Sequence, residues 1–128
     1  MDEVVIDASA LVDLLLSDGL GVAVATRIHG HVLHVPAHLD AEVMSALGRM
    51  WRGGVIPDDT VRVMLDSLLN APVIRHPLAG LLLGAWERRA NLRLADALYI
   101  ELAESLSLKL VTTDQRLKST LVAEVVTV

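Results

Sequence analysis

The spacing of apolar residues along the chain changes repeatedly between a pattern typical of a buried strand and one typical of a helix. The first example comes at the start, where a short apolar run over Glu3 to Asp7 predicts a strand. The residues from Ala8 to Leu16 then have the composition of a helix. A strand therefore leads into a helix at Asp7.

The same patterns alternate along the rest of the chain. Further strands are predicted over Val32 to Val35, Pro72 to His76, Lys109 to Thr112 and Glu124 to Val128. Further helices are predicted over Gly21 to Ile28, Ala37 to Arg52, Asp58 to Asn70, Leu78 to Ala90 and Leu94 to Leu106. Because strands and helices alternate throughout, and each parallel crossover needs a helical return, we expect an α/β fold with three layers, a central parallel sheet with helices on both faces.

Composition limits the size of the fold and its chemistry. With 128 residues, 53% of them apolar, we expect one domain over residues 1–128. The chain has no cysteine, so any metal must be held by oxygen or imidazole. No basic leader and no apolar run of about 18 residues is present, so we expect a soluble cytoplasmic protein that does not enter a membrane.

Charge and aromatic content exclude some kinds of nucleic-acid binding. Sixteen acidic residues against 11 basic ones give a net charge of −5, which argues against a broad positive surface that coats nucleic acid. With two Trp, one Tyr and no Phe, the chain cannot form extensive stacking platforms for bases. An RNA substrate would therefore need a local basic rim.

Four acidic residues are candidates for a functional site. Asp7 and Asp114 each follow a predicted strand, and ligands of open parallel sheets bind outside the carboxyl ends of strands. Glu42 lies on the flank of the apolar face of its helix, and Asp96 lies in a first helical turn. Each has an ordinary alternative: a helix cap for either aspartate after a strand, a pair with Arg49 or another basic residue for Glu42, and the helix dipole for Asp96. Only their combination is informative.

Four segments around these acids share a recognisable pattern. They are Val5 to Leu11, Glu42 with Ser45 to Leu47, Leu94 to Ala103, and Leu110 to Leu117. In this order the chain resembles the PIN-domain family, specifically the VapC toxins of type II toxin–antitoxin pairs, over essentially its whole length. The most specific parts are the Asp-Ala-Leu-Tyr sequence that begins at Asp96 and the Thr-x-Asp sequence that ends at Asp114.

The resemblance implies a site, an activity and partners. Asp7, Glu42, Asp96 and Asp114 would be the catalytic, metal-binding acids of a PIN-like fold, with Ser9 and Thr112 as supporting polar residues. The activity implied is cleavage of RNA with Mg²⁺ or Mn²⁺, and the implied partners are a VapB-type antitoxin and a second copy of the chain in a homodimer. Ala95 and Leu117 depart from the family pattern, which leaves a second metal ion in doubt.

The proposed acids also make chemical sense together. Gathered carboxylates repel one another unless a divalent cation neutralises them, and all-oxygen surroundings suit Mg²⁺ or Mn²⁺. Such an ion lowers the pKa of a bound water and stabilises charge on a departing oxygen.

Two other groups of residues need an interpretation. The histidines at 29, 31, 34 and 38 are expected to be solvated or hydrogen-bonded rather than to bind a transition metal. The basic residues would ordinarily lie on solvated helix faces; they are Arg49, Arg52, Arg88, Arg89, Arg93, Arg116 and Lys118. Arg93 and Arg116 are close in sequence to Asp96 and Asp114, so we expect these two to contact RNA phosphates.

Other classes of protein fit less well. A receiver-like signalling domain would have adjacent acids after its first strand, and a haloacid-dehalogenase phosphatase would have Asp-x-Asp there, whereas this chain has Asp7-Ala8-Ser9. A non-catalytic domain that acts through protein–protein interaction remains an alternative.

Overall fold

The computed structural model describes residues 2–128 and contains one five-stranded sheet. The strands are β1 (Glu3–Ile6), β2 (Val32–Pro36), β3 (Val73–His76), β4 (Leu110–Thr112) and β5 (Ala123–Val125), in the order β3-β2-β1-β4-β5. The helices are α1 (Ala8–Leu16), α2 (Gly19–Ile28), α3 (Leu39–Arg52), α4 (Asp58–Leu69), α5 (Leu82–Trp86) and α6 (Leu94–Leu106). All neighbouring strands are parallel, as the sequence predicts.

The central position of β1 explains how the sheet is covered. Val4, Val5 and Ile6 are all buried, although successive side chains of a strand point to opposite faces. Both faces of the sheet therefore pack against helices, which is the environment of a parallel α/β sheet. The three-layer α/β/α prediction is confirmed.

The register of the sheet brings the ends of β1 and β4 together. Ile6 pairs with Val111, and the next residue, Asp7, donates its backbone N–H to the Val111 carbonyl at 3.3 Å. The residues that follow these two strands therefore share one edge of the sheet, as expected for Asp7 and Asp114.

The helix predicted over residues 78–90 is confirmed only in part, because it is much shorter in the structure. The structure has a 3-10 turn over Ala79–Leu81 and then only the five-residue helix α5. Gly80 and Gly84 weaken a helix at these positions. After α5 the backbone hydrogen bonds join residues three positions apart instead of four, as in a 3-10 helix: the N–H of Arg88 donates to the carbonyl of Ala85.

Strands and helices do not alternate strictly. Helices α1 and α2 follow one another without a strand between them, as do the helices predicted over residues 8–16 and 21–28, and β4 is joined to β5 by the 3-10 turn Gln115–Leu117, where no helix is predicted. Strand β5 ends at Val125, so the predicted strand to residue 128 is too long. Its pairing partner β4 has only three residues, which limits β5 to the same length.

Helix α2 packs closely on the end of α1 because of a glycine. A Cβ at Gly21 would lie 2.0 Å from the carbonyl oxygen of Asp13, so no other residue fits there without a shift of the backbone. The two helices meet at an angle of 112°. No single helix within residues 2–128 has the length and apolar character needed to cross a membrane, and only this bent pair reaches both when counted together.

Candidate metal centre

Asp7 is both a helix cap and a buried acid. Its Oδ1 accepts hydrogen bonds from the backbone N–H of Ala10 at 3.0 Å and from the hydroxyl of Ser9 at 2.7 Å. The residue is only 6% exposed. Burial raises the pKa of Asp7 to about 6, although these bonds favour the charged form. The capping alternative is therefore correct but incomplete, because capping alone does not require a desolvated carboxylate.

Thr112 and Ser9 connect the ends of β4 and β1. Thr112 is fully buried, and its hydroxyl lies 3.2 Å from that of Ser9. The Thr112 hydroxyl also accepts a bond from the backbone N–H of Asp114 at 3.0 Å. Each proposed supporting residue thus contacts a residue that carries a proposed metal ligand. Their role in metal binding stays a prediction.

Glu42 is held by an aromatic residue rather than by an arginine. The hydroxyl of Tyr99 donates to Glu42 Oε1 at 2.7 Å, and His38 Nε2 lies 3.4 Å from the same oxygen. Burial and the neighbouring Glu42 raise the pKa of Tyr99, so its hydroxyl stays protonated as a donor. Among residues 2–128, no ion pair joins Glu42 to Arg49, and the basic residue beside Glu42 is His38, so the alternative of a basic partner holds for a histidine and not for Arg49.

Tyr99 and His38 are residues of this region that the sequence analysis did not select. Tyr99 is buried, and the His38 ring packs on it with the ring centroids 4.7 Å apart. Tyr99 lies three residues after Asp96, and His38 lies four before Glu42. Residues three or four positions apart lie on the same side of a helix. This spacing from Asp96 and Glu42 is the sequence feature that could have identified Tyr99 and His38.

Two other histidines of the 29–38 segment, His31 and His34, are hydrogen-bonded, as expected. His31 Nδ1 lies 3.0 Å from the carbonyl oxygen of His29, and His34 Nε2 lies 2.7 Å from Glu3 Oε1. Within residues 2–128 these histidines form no group that could hold a metal ion.

Arg93 and Arg116 contact the acids themselves. Arg93 Nε donates to Asp96 Oδ2 at 3.1 Å, and Arg116 Nε lies 3.0 and 3.1 Å from the two carboxylate oxygens of Asp114. The Arg116 guanidinium holds the pKa of Asp114 below its ordinary value. The expected closeness of these arginines to the acids is thus observed, and their contact with phosphate stays a prediction.

One cavity of about 370 Å³ joins these residues. Its polar lining comes from five acids, three arginines and two hydroxyl residues: Asp7, Asp13, Glu42, Asp96, Asp114, Arg49, Arg93, Arg116, Ser9 and Tyr99. Asp13 was not predicted from the sequence; it lies one helical turn after Ser9 and accepts a hydrogen bond from the Thr113 hydroxyl at 2.7 Å. All four acids predicted from the sequence therefore share one cavity.

The donor set fits a hard divalent cation. Carboxylate and hydroxyl oxygens are the ligands such ions prefer, and the desolvated Asp7 needs a positive neighbour when charged. Within residues 2–128, no three acidic or histidine side chains converge closely enough to hold a metal ion. Asp96 and Asp114 are instead paired with arginines, so binding of a cation requires these pairs to open.

Removal of Arg116 is therefore expected to strengthen cation binding. Arg116→Ala frees both oxygens of Asp114 and removes a competing positive charge. Exposed ion pairs contribute about 0.2–1 kcal/mol, so we expect the apparent Kd for Mn²⁺ to fall by a factor of about 1.4 to 5. Thermal unfolding in a Mn²⁺ titration without RNA measures this value. Arg89→Ala is the control, because Arg89 packs on Trp86 and lines no part of the cavity. Weaker Mn²⁺ binding by Arg116→Ala would contradict the competition.

Fold and cavity together describe a parallel α/β protein with carboxylates gathered at the carboxyl edge of its sheet. Residues 4–121 match the family model of the PIN domain. The chain belongs to the PIN-domain family.

Similar proteins point to one branch of this family. The chain is 54% identical over 118 residues to Ribonuclease VapC3 of Mycobacterium tuberculosis, covering 91% of this chain and 85% of that protein. It is 40% identical over 114 residues to Ribonuclease VapC12 of the same organism, covering 89% and 88% of the two chains.

Solved structures share the fold. The crystal structure of Mycobacterium tuberculosis VapC20, a toxin that cleaves the sarcin–ricin loop, matches with a TM-score of 0.73 and 17% identity, covering 97% of this chain and 99% of that one. VapBC2 from Rickettsia felis, bound to a DNA fragment from its promoter, matches with a TM-score of 0.73 and 13% identity, covering 98% and 99%. At these identities the likeness is one of fold.

Proposed function

We propose that this chain is an endoribonuclease that hydrolyses RNA phosphodiester bonds with a carboxylate-bound Mg²⁺ or Mn²⁺ and serves as the toxin of a type II toxin–antitoxin pair. The observation that carries the proposal is the set of four carboxylates, Asp7, Glu42, Asp96 and Asp114, lining one cavity in a chain 54% identical to Ribonuclease VapC3.

The side chains of the cavity would have three roles: metal binding, orientation of the metal ligands and phosphate binding. Asp7, Glu42, Asp96 and Asp114 would hold the ion, which when bound activates water and stabilises negative charge on phosphate oxygens. Ser9 fixes Asp7, and Tyr99 fixes one oxygen of Glu42, so that the other oxygen can face the cation. Arg93 and Arg116, once released from Asp96 and Asp114, would bind the phosphate that carries the scissile bond. No protein nucleophile is needed.

The partners proposed are a VapB-type antitoxin and a second copy of the chain, both in the cytoplasm with the RNA substrate. Two solved structures of the same fold support the antitoxin partner: VapBC2 from Rickettsia felis and a toxin–antitoxin complex from Klebsiella pneumoniae. Large apolar side chains exposed on the helices, among them Trp51, Val63 and Leu83, provide surface for a homodimer.

A cleavage assay with metal-free protein tests the catalytic proposal. With excess EDTA the protein should leave a labelled RNA intact, and Mn²⁺ or Mg²⁺ added beyond the chelator should restore cleavage. The assay also separates the enzyme from a receiver-like or other non-catalytic interaction domain, which would cleave in neither condition. Full activity in excess EDTA would refute the metal requirement.

A further inference from the structure

Arg49 is the cavity arginine with no partner among the described residues. Arg93 and Arg116 each bond an acid of the site. Arg49 lines the same cavity, is exposed, and forms no ion pair or side-chain hydrogen bond with residues 2–128. The donors of its guanidinium are therefore free for a ligand, beside a cavity lined by five acids and three arginines.

A second cavity extends the site along α3 and shares Arg49 with it. This cavity has a volume of about 350 Å³, and its lining is His38, Ala41, Glu42, Ser45, Arg49 and Arg93. Three of these residues, Glu42, Arg49 and Arg93, also line the first cavity. The two cavities therefore adjoin one another, with Arg49 among the residues between them, and together they are called the groove along α3.

The position of Arg49 on α3 fixes its distance from the acids. Residues separated by seven positions lie on the same face of a helix, about 10 Å apart along its axis. Arg49 therefore stands on the side of α3 that carries Glu42, but its backbone is two turns away. A group held by Arg49 is thus a neighbour of the group at the acids and not the same one.

We infer that Arg49 binds a backbone phosphate of single-stranded RNA next to the scissile phosphate, and that the groove along α3 holds the flanking nucleotide. This inference rests on the proposed function. The chain carries a net charge of −5 and gathers five acids at the cavity, so an RNA strand is repelled unless a cation lies along its path. A guanidinium binds phosphate with two parallel hydrogen bonds, and Arg49 needs to break no internal pair to do so.

Paired variants test this assignment. Arg49→Gln removes the charge from the groove, and Arg52→Gln removes one charge from the same helix at a position that lines neither cavity. Binding is measured by fluorescence anisotropy with a short 2′-O-methyl oligoribonucleotide in Mg²⁺, over a series of salt concentrations. We expect Arg49→Gln to weaken binding about tenfold, the size of one charge-assisted hydrogen bond. The slope of log affinity against log salt should become shallower by about 0.7, the value for one phosphate contact to a single strand.

Cleavage and metal binding provide independent readouts. For Arg49→Gln, KM should rise about tenfold with kcat nearly unchanged, and the Mn²⁺-dependent thermal shift should equal that of the wild type. Arg52→Gln should match the wild type throughout. Equal losses in the two variants, an unchanged salt slope in Arg49→Gln, or no oligonucleotide binding by the wild type would overturn the inference. Lack of cleavage by a wild type whose binding depends on Arg49 would refute the proposed catalysis alone.

Discussion

Asp7→Asn is expected to abolish RNA cleavage and, at neutral pH, to stabilise the metal-free protein. Asparagine keeps the shape of the side chain and can still cap α1, so the local structure is preserved. The change removes the charge of one carboxylate of the cavity lining. That carboxylate is a proposed metal ligand, and it is also desolvated by burial. Loss of function combined with a gain in stability is the signature of a buried catalytic acid and not of a helix cap.

The pH dependence gives this expectation its sign. The pKa of Asp7 in the folded protein is about 6, above the ordinary value of 3.8, so folding favours the protonated form. The stability that Asp7 contributes is therefore fully present below about pH 4 and is lost as the pH rises through 6. The shift corresponds to about 3 kcal/mol in the free energy of unfolding. Urea unfolding without metal should show Asp7→Asn overtaking the wild type across this range.

Bound metal should nearly cancel the stability advantage of Asp7→Asn over the wild type. At a hundredfold excess of Mn²⁺ over its Kd the wild type should gain about 2.7 kcal/mol, whereas Asp7→Asn should lose most of that gain. Asp18→Asn is the matched control, because Asp18 caps α2 through the backbone N–H of Gly21 at 2.7 Å and lines no part of the cavity. It should keep both cleavage and the metal response. If Asp7→Asn also kept both, Asp7 would be only a cap.

Tyr99→Phe is expected to weaken metal binding without disturbing the fold. The change removes the hydroxyl that donates to Glu42 and leaves the ring packed on His38. Residues that orient metal ligands typically contribute 10- to 100-fold in affinity, so we expect an apparent Kd for Mn²⁺ higher by about that factor. Cleavage should fall at limiting Mn²⁺ and recover as Mn²⁺ is raised.

A hydroxyl elsewhere on the same helix provides the control for Tyr99→Phe. Ser105 also lies on α6 and donates to the carbonyl of Leu102 at 2.9 Å, away from the cavity. Ser105→Ala should lower the free energy of unfolding by about 1 kcal/mol at most and leave the Kd for Mn²⁺ unchanged. A Kd for Tyr99→Phe equal to that of the wild type would show that the hydroxyl only fills the core.

The parts of the site that the sequence predicts are those with local signals. Asp7 and Asp114 each stand directly after an apolar strand, and parallel strands end at one edge, so their meeting follows from the pattern. Tyr99 and Glu42 are 57 positions apart, and nothing in the spacing of either segment shows that they touch. Arg49 is named as a candidate partner of Glu42 because both lie on α3. Local spacing does not show that α6, which carries Tyr99, lies beside α3.

Local spacing also fails to show that the helix predicted over residues 78–90 is too long. Apolar residues there have helical spacing, and the prediction relied on that spacing alone. In the structure Arg88 forms ion pairs with Glu101 and Glu104 on α6. A Cβ at Gly84 would lie too close to the Glu101 side chain. The segment is shaped by its contact with α6, which local periodicity does not contain.

The pairing of β1 with β4 also has a consequence for how the protein is made. The hydroxyls that join these strands, those of Ser9 and Thr112, are 103 positions apart in the chain. During translation Asp7 is synthesised early, and Asp114 is synthesised only after most of the chain. Contacts between residues so far apart in sequence form slowly. A nascent chain on the ribosome therefore has no assembled site, and messenger and ribosomal RNA beside it are exposed to the nuclease only after β4 has emerged and docked.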